Sequence, residues 1–539
     1  MVDKARTEEV TETVFAWPLR MIGRISSMPL SLKLVFLVLI TLLPRILAFL
    51  QPQIITIDGT LYIKMAKLFS EGKYEGVHGT YFNLYPIMIF LTQRFIGDWE
   101  LSGQWISTFM GTLTVIPIFL LGRSLYQERV GWFSALFYIT LPNFIRFDIS
   151  VLRDPTLWFF SCMTMWLVWE GFKKKWVPLF GLASISAGLS ALTRVEGFIL
   201  WAILIFYTAF RKVPELSLKR KALGVTLFIF LFPVLLSSVL FSLKKDSNQI
   251  AFREITSFSV SFITTHISTI LKPQNAIDTM GRKTYDSLPQ LSQDSLELAS
   301  RHRMVLAISE VIHKFIKSAN LLIVLILLGL WKRKREGFEP SDGYLLYVFA
   351  TLFIMSVFYA RQLYYFSTRH GLTLVLPSLF FAGHGLDFVA QTFSRGLNRL
   401  TSGWSFVKKY FIHLLTILFI IIFLGQGLSF KRTDKFIQKE IGLWLKGNGY
   451  QGSIIMGPEK FVRLSFYADG QFLKMPDSWE KVADGVRRKQ VKIVVIDPCT
   501  VEQDCPGFLA NLPQAGLLPI YGPKARKEGK CPIQIYAVQ

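Results

Sequence analysis

The stretch SLKLVFLVLITLLPRILAFL, residues 31–50, decides the fold. Twenty helical residues rising about 1.5 Å each match the roughly 30 Å hydrocarbon core of a bilayer. Only Lys33 and Arg45 interrupt the apolar run. No small-residue cleavage signal follows it, so the block is expected to stay in place as an anchor. Comparable blocks recur at 103–122, 130–147, 155–170, 177–193, 197–210, 222–243, 314–331, 344–359, 371–389 and 410–429. The expectation is a polytopic α-helical membrane protein with about eleven transmembrane helices.

Composition agrees. The chain is 51% hydrophobic and 18% charged, against about 25% charged for a soluble globular domain. Its net charge of +23 would suit nucleic acid in a soluble protein. Here the cations gather at the ends of apolar blocks, which is a topological pattern and excludes a nucleic-acid partner. One class of connection is short and basic: Arg123/Arg129, Lys173-Lys174-Lys175, Arg211/Lys212 with Lys219-Arg220-Lys221, Lys332-Arg333-Lys334-Arg335, and Arg395/Arg399/Lys408/Lys409. The other class is long or charge-balanced: 51–102, 148–154, 194–196, 244–313 and 360–370. The two classes alternate without a break. With basic loops inside, residues 1–30 form a cytoplasmic segment, 31–429 the membrane module, and 51–102 and 244–313 its main outer loops.

Residues 430–539 change character. Polar turns separate short apolar runs at 453–456 and 491–496, with a helical pattern over 478–489. A small extracytoplasmic α/β domain is expected there. It holds Cys499, Cys505 and Cys531, and an oxidising outer compartment would permit a disulfide from Cys499 to either of the others. No histidine lies in this domain, which argues against zinc.

Chemistry should open on the outer face, where the varied loops lie. Asp58 opens Asp58-Gly59-Thr60-Leu61-Tyr62, and Leu61, Met65, Leu68 and Phe69 share one face of a short helix stopped by Gly72. Asp58 fits an N-cap, and so does Asp154 ahead of Pro155. Backbone N–H groups at a helix start keep a carboxylate ionised, so either aspartate could also serve as a general base. Arg153, Arg194, Arg361, Arg369 and His370 stand at other outer helix ends, with Tyr62 and Tyr85 in the first loop. Arginine's planar fork suits phosphate; interfacial anchoring is the competing role. His266, Tyr285 and His302 in loop 244–313 have no site-defining spacing.

Taken in order, Asp58 after the first span, Leu84-Tyr85-Pro86, Leu152-Arg153-Asp154-Pro155, Leu192-Thr193-Arg194-Val195-Glu196-Gly197 and Arg369-His370-Gly371 resemble the GT-C membrane glycosyltransferases. The resemblance is to the protein O-mannosyltransferase and lipid A aminoarabinose transferase superfamily, and it covers most of the first 430 residues. It implies inverting sugar transfer from a polyprenyl-phosphate donor at the outer face of a bacterial inner (plasma) membrane. By that resemblance Asp58 is the base, Asp154 shapes the pocket with Tyr62, Tyr85 and Arg153, and Arg194, Arg361, Arg369 and His370 hold the donor phosphate. No cofactor or metal is implied, and membrane lipids are the surrounding partner. Asp58-Gly59 replaces the mannosyltransferases' Asp-Glu pair, Phe82-Asn83-Leu84-Tyr85-Pro86 replaces a Lys-Pro-Pro-like stretch, and His370 stands where a tyrosine is frequent. The sugar and the acceptor (protein, lipid or glycan) stay open. The alternatives are a transporter or flippase of a lipid-linked substrate and a non-catalytic assembly protein. The first would favour mid-span charges and repeats, whereas almost every charge here sits at a helix end, apart from Arg45 in the first block, and no repeat is seen.

Overall fold

A computed structural model describes residues 27–73, 83–211, 215–243, 290–363, 365–400, 405–429, 435–488, 490–512, 516–521 and 533–538. His266, Tyr285 and Cys531 lie outside these residues. The first half of the bundle runs through α1 (Leu30–Phe49), α2 (Ile57–Ser70), α3 (Leu84–Ile96), α4 (Trp99–Leu113), α5 (Val115–Leu125), α6 (Glu128–Thr140), α7 (Pro142–Asp148), α8 (Asp154–Lys174), α9 (Pro178–Thr193), α10 (Phe198–Phe210) and α11 (Leu216–Leu243). The second half comprises α12 (Gln290–Arg301), α13 (Arg303–Ala319), α14 (Leu322–Glu336), α15 (Pro340–Leu363), α16 (Thr368–Leu400) and α17 (Ser405–Leu428).

Every apolar block carries helix, but not always one straight rod. Pro142 opens α7 and so breaks the block 130–147. Asn320, at φ 55°, splits the block 314–331 into α13 and α14, which meet at 103°. Its Oδ1 accepts the Leu321 N–H at 2.8 Å, which stabilises the break. Among the described residues, four helical rods are long and apolar enough to cross a membrane alone: α1, Trp99–Leu125, Pro340–Gln362 and Thr368–Phe393. The bent pair would be a fifth. The other apolar helices are shorter; 16-residue α9 spans roughly 24 Å.

Short connections fix the polarity of the bundle. At one end Lys33 Nζ donates to Glu128 at 2.5 Å, Lys173 Nζ donates to Ser124 O at 3.0 Å, and Lys175 pairs with Glu215. There too Arg333 grips Asp342 through Nε and Nη2 (3.1 and 2.7 Å), and Tyr126 Oη donates to the same carboxylate at 2.6 Å. These are the basic connections. Asp154 opens the helix that ends at Lys174, and Arg194 follows the helix that begins after Lys175, so both stand at the opposite end. Asp58 and Arg369 meet there too, since Arg369 adjoins His370, which contacts Arg194.

Arg45, a cation well inside the first apolar block, is fully buried and donates through Nε to Asp148 Oδ2 at 2.8 Å. Asp148, grouped with the outer connection on sequence grounds, is instead a buried structural partner; Tyr138 stacks under the guanidinium at 5.1 Å. A buried ion pair is tolerated only when each charge has its partner. Gly111 makes room for it, because a Cβ there would sit 2.2 Å from Asp148 Cγ. Gly111→Ala is therefore expected to destabilise the protein by about 1–3 kcal/mol through overpacking. Thermal unfolding in detergent checks this, and an unchanged midpoint would contradict it.

The last hundred residues form an α/β unit. Strands β1 (Ile454–Gly457), β2 (Gln471–Lys474), β3 (Ile493–Ile496), β4 (Leu517–Tyr521) and β5 (Gln534–Val538) lie in the order β2-β1-β3-β5-β4, with the first three parallel and the rest antiparallel. Helices α18 (Phe436–Gly447) and α19 (Val462–Tyr467) supply Ile441, Leu445 and Leu464 to one face, packed on Ile455 and Ile493. Helix α20 (Trp479–Arg487) places Val482 and Val486 on the other face with Met456 and Val494. Buried on both faces, β3 is the continuous apolar run expected of a central parallel strand. Cys499 is disulfide-bonded and Cys505 is buried in this core.

Candidate active site

The first acidic residue is placed by the residue two before it. Thr56, not Asp58, is the N-cap of α2: its Oγ1 accepts the Gly59 N–H at 2.9 Å and donates to Val151 O at 3.1 Å. The hydroxyl thus ties the start of α2 to the connection that leads into α8. Gly59 is required at this crossing, since a Cβ would come within 2.9 Å of Ile55 and 3.0 Å of Val151. Asp58 falls at the second helical position. Freed from capping, its carboxylate is ion-paired with Arg369 Nη1 and remains 38% exposed. The face of α2 that packs inward is Gly59, Tyr62, Ile63 and Ala66; Leu61 is exposed.

Asp154 is not a cap either. Arg153 holds the N-cap position of α8, so Asp154 and Pro155 occupy its first two turn positions. Asp154 is buried, and its Oδ1 accepts from Arg194 Nη1 at 2.5 Å. Its Oδ2 is buried with no hydrogen-bond partner. Arg194 ends α9 in an extended conformation and distributes its whole fork. Nε and Nη2 donate to the two oxygens of Glu196 at 3.1 and 2.7 Å, and Nη2 also meets His370 Nε2 at 2.8 Å. Burial opposes ionisation of Glu196, but the charge and hydrogen bonds of Arg194 prevail and hold its carboxyl well below the usual range.

Arginine has only donors, so His370 Nε2 must be the accepting nitrogen and the ring proton lies on Nδ1. Tyr359 and Phe366 meet the imidazole edge-on at 5.1 and 5.4 Å. Arg153 lies over the Tyr62 ring at 5.5 Å, and Tyr62 meets Tyr85 edge-to-face at 5.4 Å. Burial raises the Tyr62 hydroxyl against loss of its proton. Tyr85 is fully buried and its hydroxyl is engaged by Gly103 O (2.8 Å) and Ser107 (2.7 Å), so it buttresses Tyr62. Arg361 stands in the last turn of α15, where its carbonyl accepts from Arg303; it is outside the hydrogen-bonded cluster.

Arg194, Glu196 and His370 form the polar wall of a cleft whose other walls include Leu157, Leu352, Met355 and Phe366. An apolar slot ending in arginine and a neutral imidazole suits an amphiphile with an anionic head. Three arginines and three carboxylates balance in the cluster. Among the described residues, no group of three His, Cys, Asp or Glu is arranged to hold a metal ion. Glu196, Thr56 and the Arg45–Asp148 pair are the parts not assigned from sequence. Glu196 had a signal in its spacing two residues after Arg194; Thr56 is a favoured cap residue type two positions before Asp58.

A family model described as dolichyl-phosphate-mannose-protein mannosyltransferase matches residues 84–237, which include Arg153, Asp154 and Arg194. The ArnT structure from Cupriavidus metallidurans bound to undecaprenyl phosphate superposes with a TM-score of 0.56 at 12% identity, over 95% of this chain and 99% of that one. The chain shares its fold with ArnT. The Archaeoglobus fulgidus oligosaccharyltransferase, in a complex with Zn and sulfate, is also similar, with a TM-score of 0.54 at 15% identity over 94% of this chain and 73% of that one. An uncharacterized Aquifex aeolicus protein is 27% identical over 147 residues, 27% of this chain and 29% of that relative's length. With its apolar helices and this fold, the chain is an integral membrane protein.

Proposed function

We propose that this chain is an inverting glycosyltransferase that moves a sugar from a polyprenyl-phosphate donor to an acceptor at the outer face of the membrane. The observation that carries the reading is the Asp58–Arg369 pair. A carboxylate able to take a proton and a guanidinium able to take a phosphate meet at the outer end of the bundle, beside the Arg194–His370 wall of an apolar cleft. The solved ArnT binds undecaprenyl phosphate, and one Archaeoglobus structure holds a dolichol-phosphate with an inhibitory peptide; both are consistent with a polyprenyl-phosphate substrate here.

In this scheme the lipid tail lies in the apolar cleft and the phosphate reaches Arg369 and Arg194. The phosphate competes with Asp58 for Arg369 and releases the carboxylate. Asp58 then accepts the proton of the acceptor as its lone pair attacks the anomeric carbon. The bond from that carbon to the phosphate oxygen breaks, and the electron pair leaves on polyprenyl phosphate, where the arginines stabilise the added charge. One displacement from the opposite face inverts the anomeric centre. Asp154 keeps Arg194 oriented, and Tyr62 and Arg153 form the floor beneath Asp58. Arg361 is given no part.

The proposal keeps the eleven spans counted from the apolar blocks, with residues 1–30 in the cytoplasm and 430–539 outside; the gathering of basic connections at the end away from Asp58 supports that orientation. A bacterial inner membrane is the proposed location. The test is transfer of a labelled sugar by the purified chain. Arg369→Ala is expected to weaken donor affinity by about 10–100-fold, the range for a lost charge-assisted hydrogen bond. Unimpaired donor affinity would remove the phosphate role of Arg369.

A further inference from the structure

The stretch between α1 and α2 is held from outside the bundle. Ile55 is 1% exposed and lies in no helix or strand, so its backbone N–H and C=O need partners from elsewhere. Both come from α19 of the C-terminal domain. The Ile55 N–H donates to Tyr467 Oη at 2.9 Å, and Arg463 Nε donates to Ile55 O at 2.8 Å. Lys439 of α18 reaches Gln53 O at 3.4 Å.

Tyr467 uses both functions of its hydroxyl, because Oη also donates to Glu100 Oε1 at 2.9 Å at the start of α4. One side chain therefore joins the domain, the entry to α2 and α4. A second contact lies at the other end of α2, where Lys67 pairs with Asp469 at 3.2 Å. That pair is exposed and weak by itself, yet it means that the domain touches α2 before its first turn and in its last.

Asp58 is three residues past Ile55. The Ile55 side chain packs under Gly59, and the adjacent Thr56 caps α2 and binds Val151 ahead of Arg153 and Asp154. The Ile55–Gly59 packing and the Thr56 cap are the route by which a shift of Ile55 would reach Asp58. We propose that the C-terminal domain is a positioning element for Asp58, with Tyr467 and Arg463 as positioning residues that fix the carboxylate relative to Arg369. This rests on Asp58 being the base. Misplacement of a reacting group by about 1 Å costs about 100-fold in rate.

The test uses the full chain in detergent, with Tyr467→Phe, Arg463→Met and Arg463→Lys. Tyr467→Phe and Arg463→Met are expected to lower kcat by about 10–100-fold, leave the donor KM within about threefold, and retain the wild-type melting point within a few degrees. Arg463→Lys keeps a cationic donor and should recover part of kcat; it carries the test if Arg463→Met does not fold. Amide exchange over residues 53–60 should accelerate at least about tenfold in Tyr467→Phe, with the rest of the bundle unchanged. Wild-type kcat in the folded variants, or a parallel fall in kcat, donor affinity and melting point, would overturn the positioning role. If the wild-type chain transfers no sugar, the glycosyltransferase reading fails instead, and unchanged exchange over 53–60 would still count against the grip.

Discussion

Asp58→Asn should abolish sugar transfer, by about 10²–10⁴-fold, while the protein stays folded and binds a phosphate-headed lipid at least as tightly as before. The two effects have one cause. Asp58 occupies Arg369 in the structure, so the carboxylate proposed as the base would also compete with a donor phosphate for the guanidinium. An amide of the same shape removes the base and the competition together. Asp58 is 38% exposed and makes no cap hydrogen bond, so folding has little to lose. Transfer rates and equilibrium binding, measured on the same preparation, separate the two effects. Near-normal transfer would remove Asp58 from the chemistry.

The second large effect concerns stability. Arg194→Met should destabilise the end of the bundle that holds Asp154 and Glu196 by about 3–5 kcal/mol, the cost of leaving a buried charge without its partner. Arg194 is 4% exposed and satisfies Asp154 and Glu196 at once, with His370 on the same nitrogen. The size of the loss should depend on pH. In the intact protein Arg194 holds the Glu196 carboxyl below its unfolded value of about 4.3, so this group adds stability at neutral pH that is lost only in strong acid. Without Arg194 the largest charge that keeps both carboxyls ionised is gone, and burial weighs more heavily against them, although Arg153 and, for Asp154, Arg369 still act the other way. Protonation then relieves part of the penalty as pH falls. The gap in melting temperature between wild type and Arg194→Met should therefore be widest near pH 7 and narrow toward about pH 4–5. Glu196 is 28% exposed, which screens its share. A pH-independent gap would mean that packing, not charge, is what Arg194 contributes.

Why the bundle could be read from sequence and the site only in part is a matter of range. A run such as Ser31–Leu50 has one stable solution in a bilayer, since each backbone group must be satisfied within its own helix. The signal is local and long. Breaks within blocks are harder, because they depend on single residues: the apolar run 130–147 reads as continuous through Pro142, and Asn320 needs a left-handed conformation that nothing nearby demands. Asp58 and Asp154 were conspicuous as caps, and the structure gives the capping to Thr56 and leaves both carboxylates to arginines 311 and 40 residues away. Arg45 and Asp148 are likewise 103 positions apart. A lone cation in an apolar block announces that a partner exists without saying where. The grip of Tyr467 on Ile55 spans 412 positions and involves a backbone N–H, which carries no mark in any sequence.

The most direct test of the account needs neither the sugar nor the acceptor. Binding of labelled undecaprenyl phosphate to the purified chain should be saturable, weaker by about 10–100-fold in Arg369→Ala, and equal or tighter in Asp58→Asn. Weaker binding in Asp58→Asn, unchanged binding in Arg369→Ala, or no saturable binding at all would contradict the claim that Arg369 is shared between the base and the phosphate.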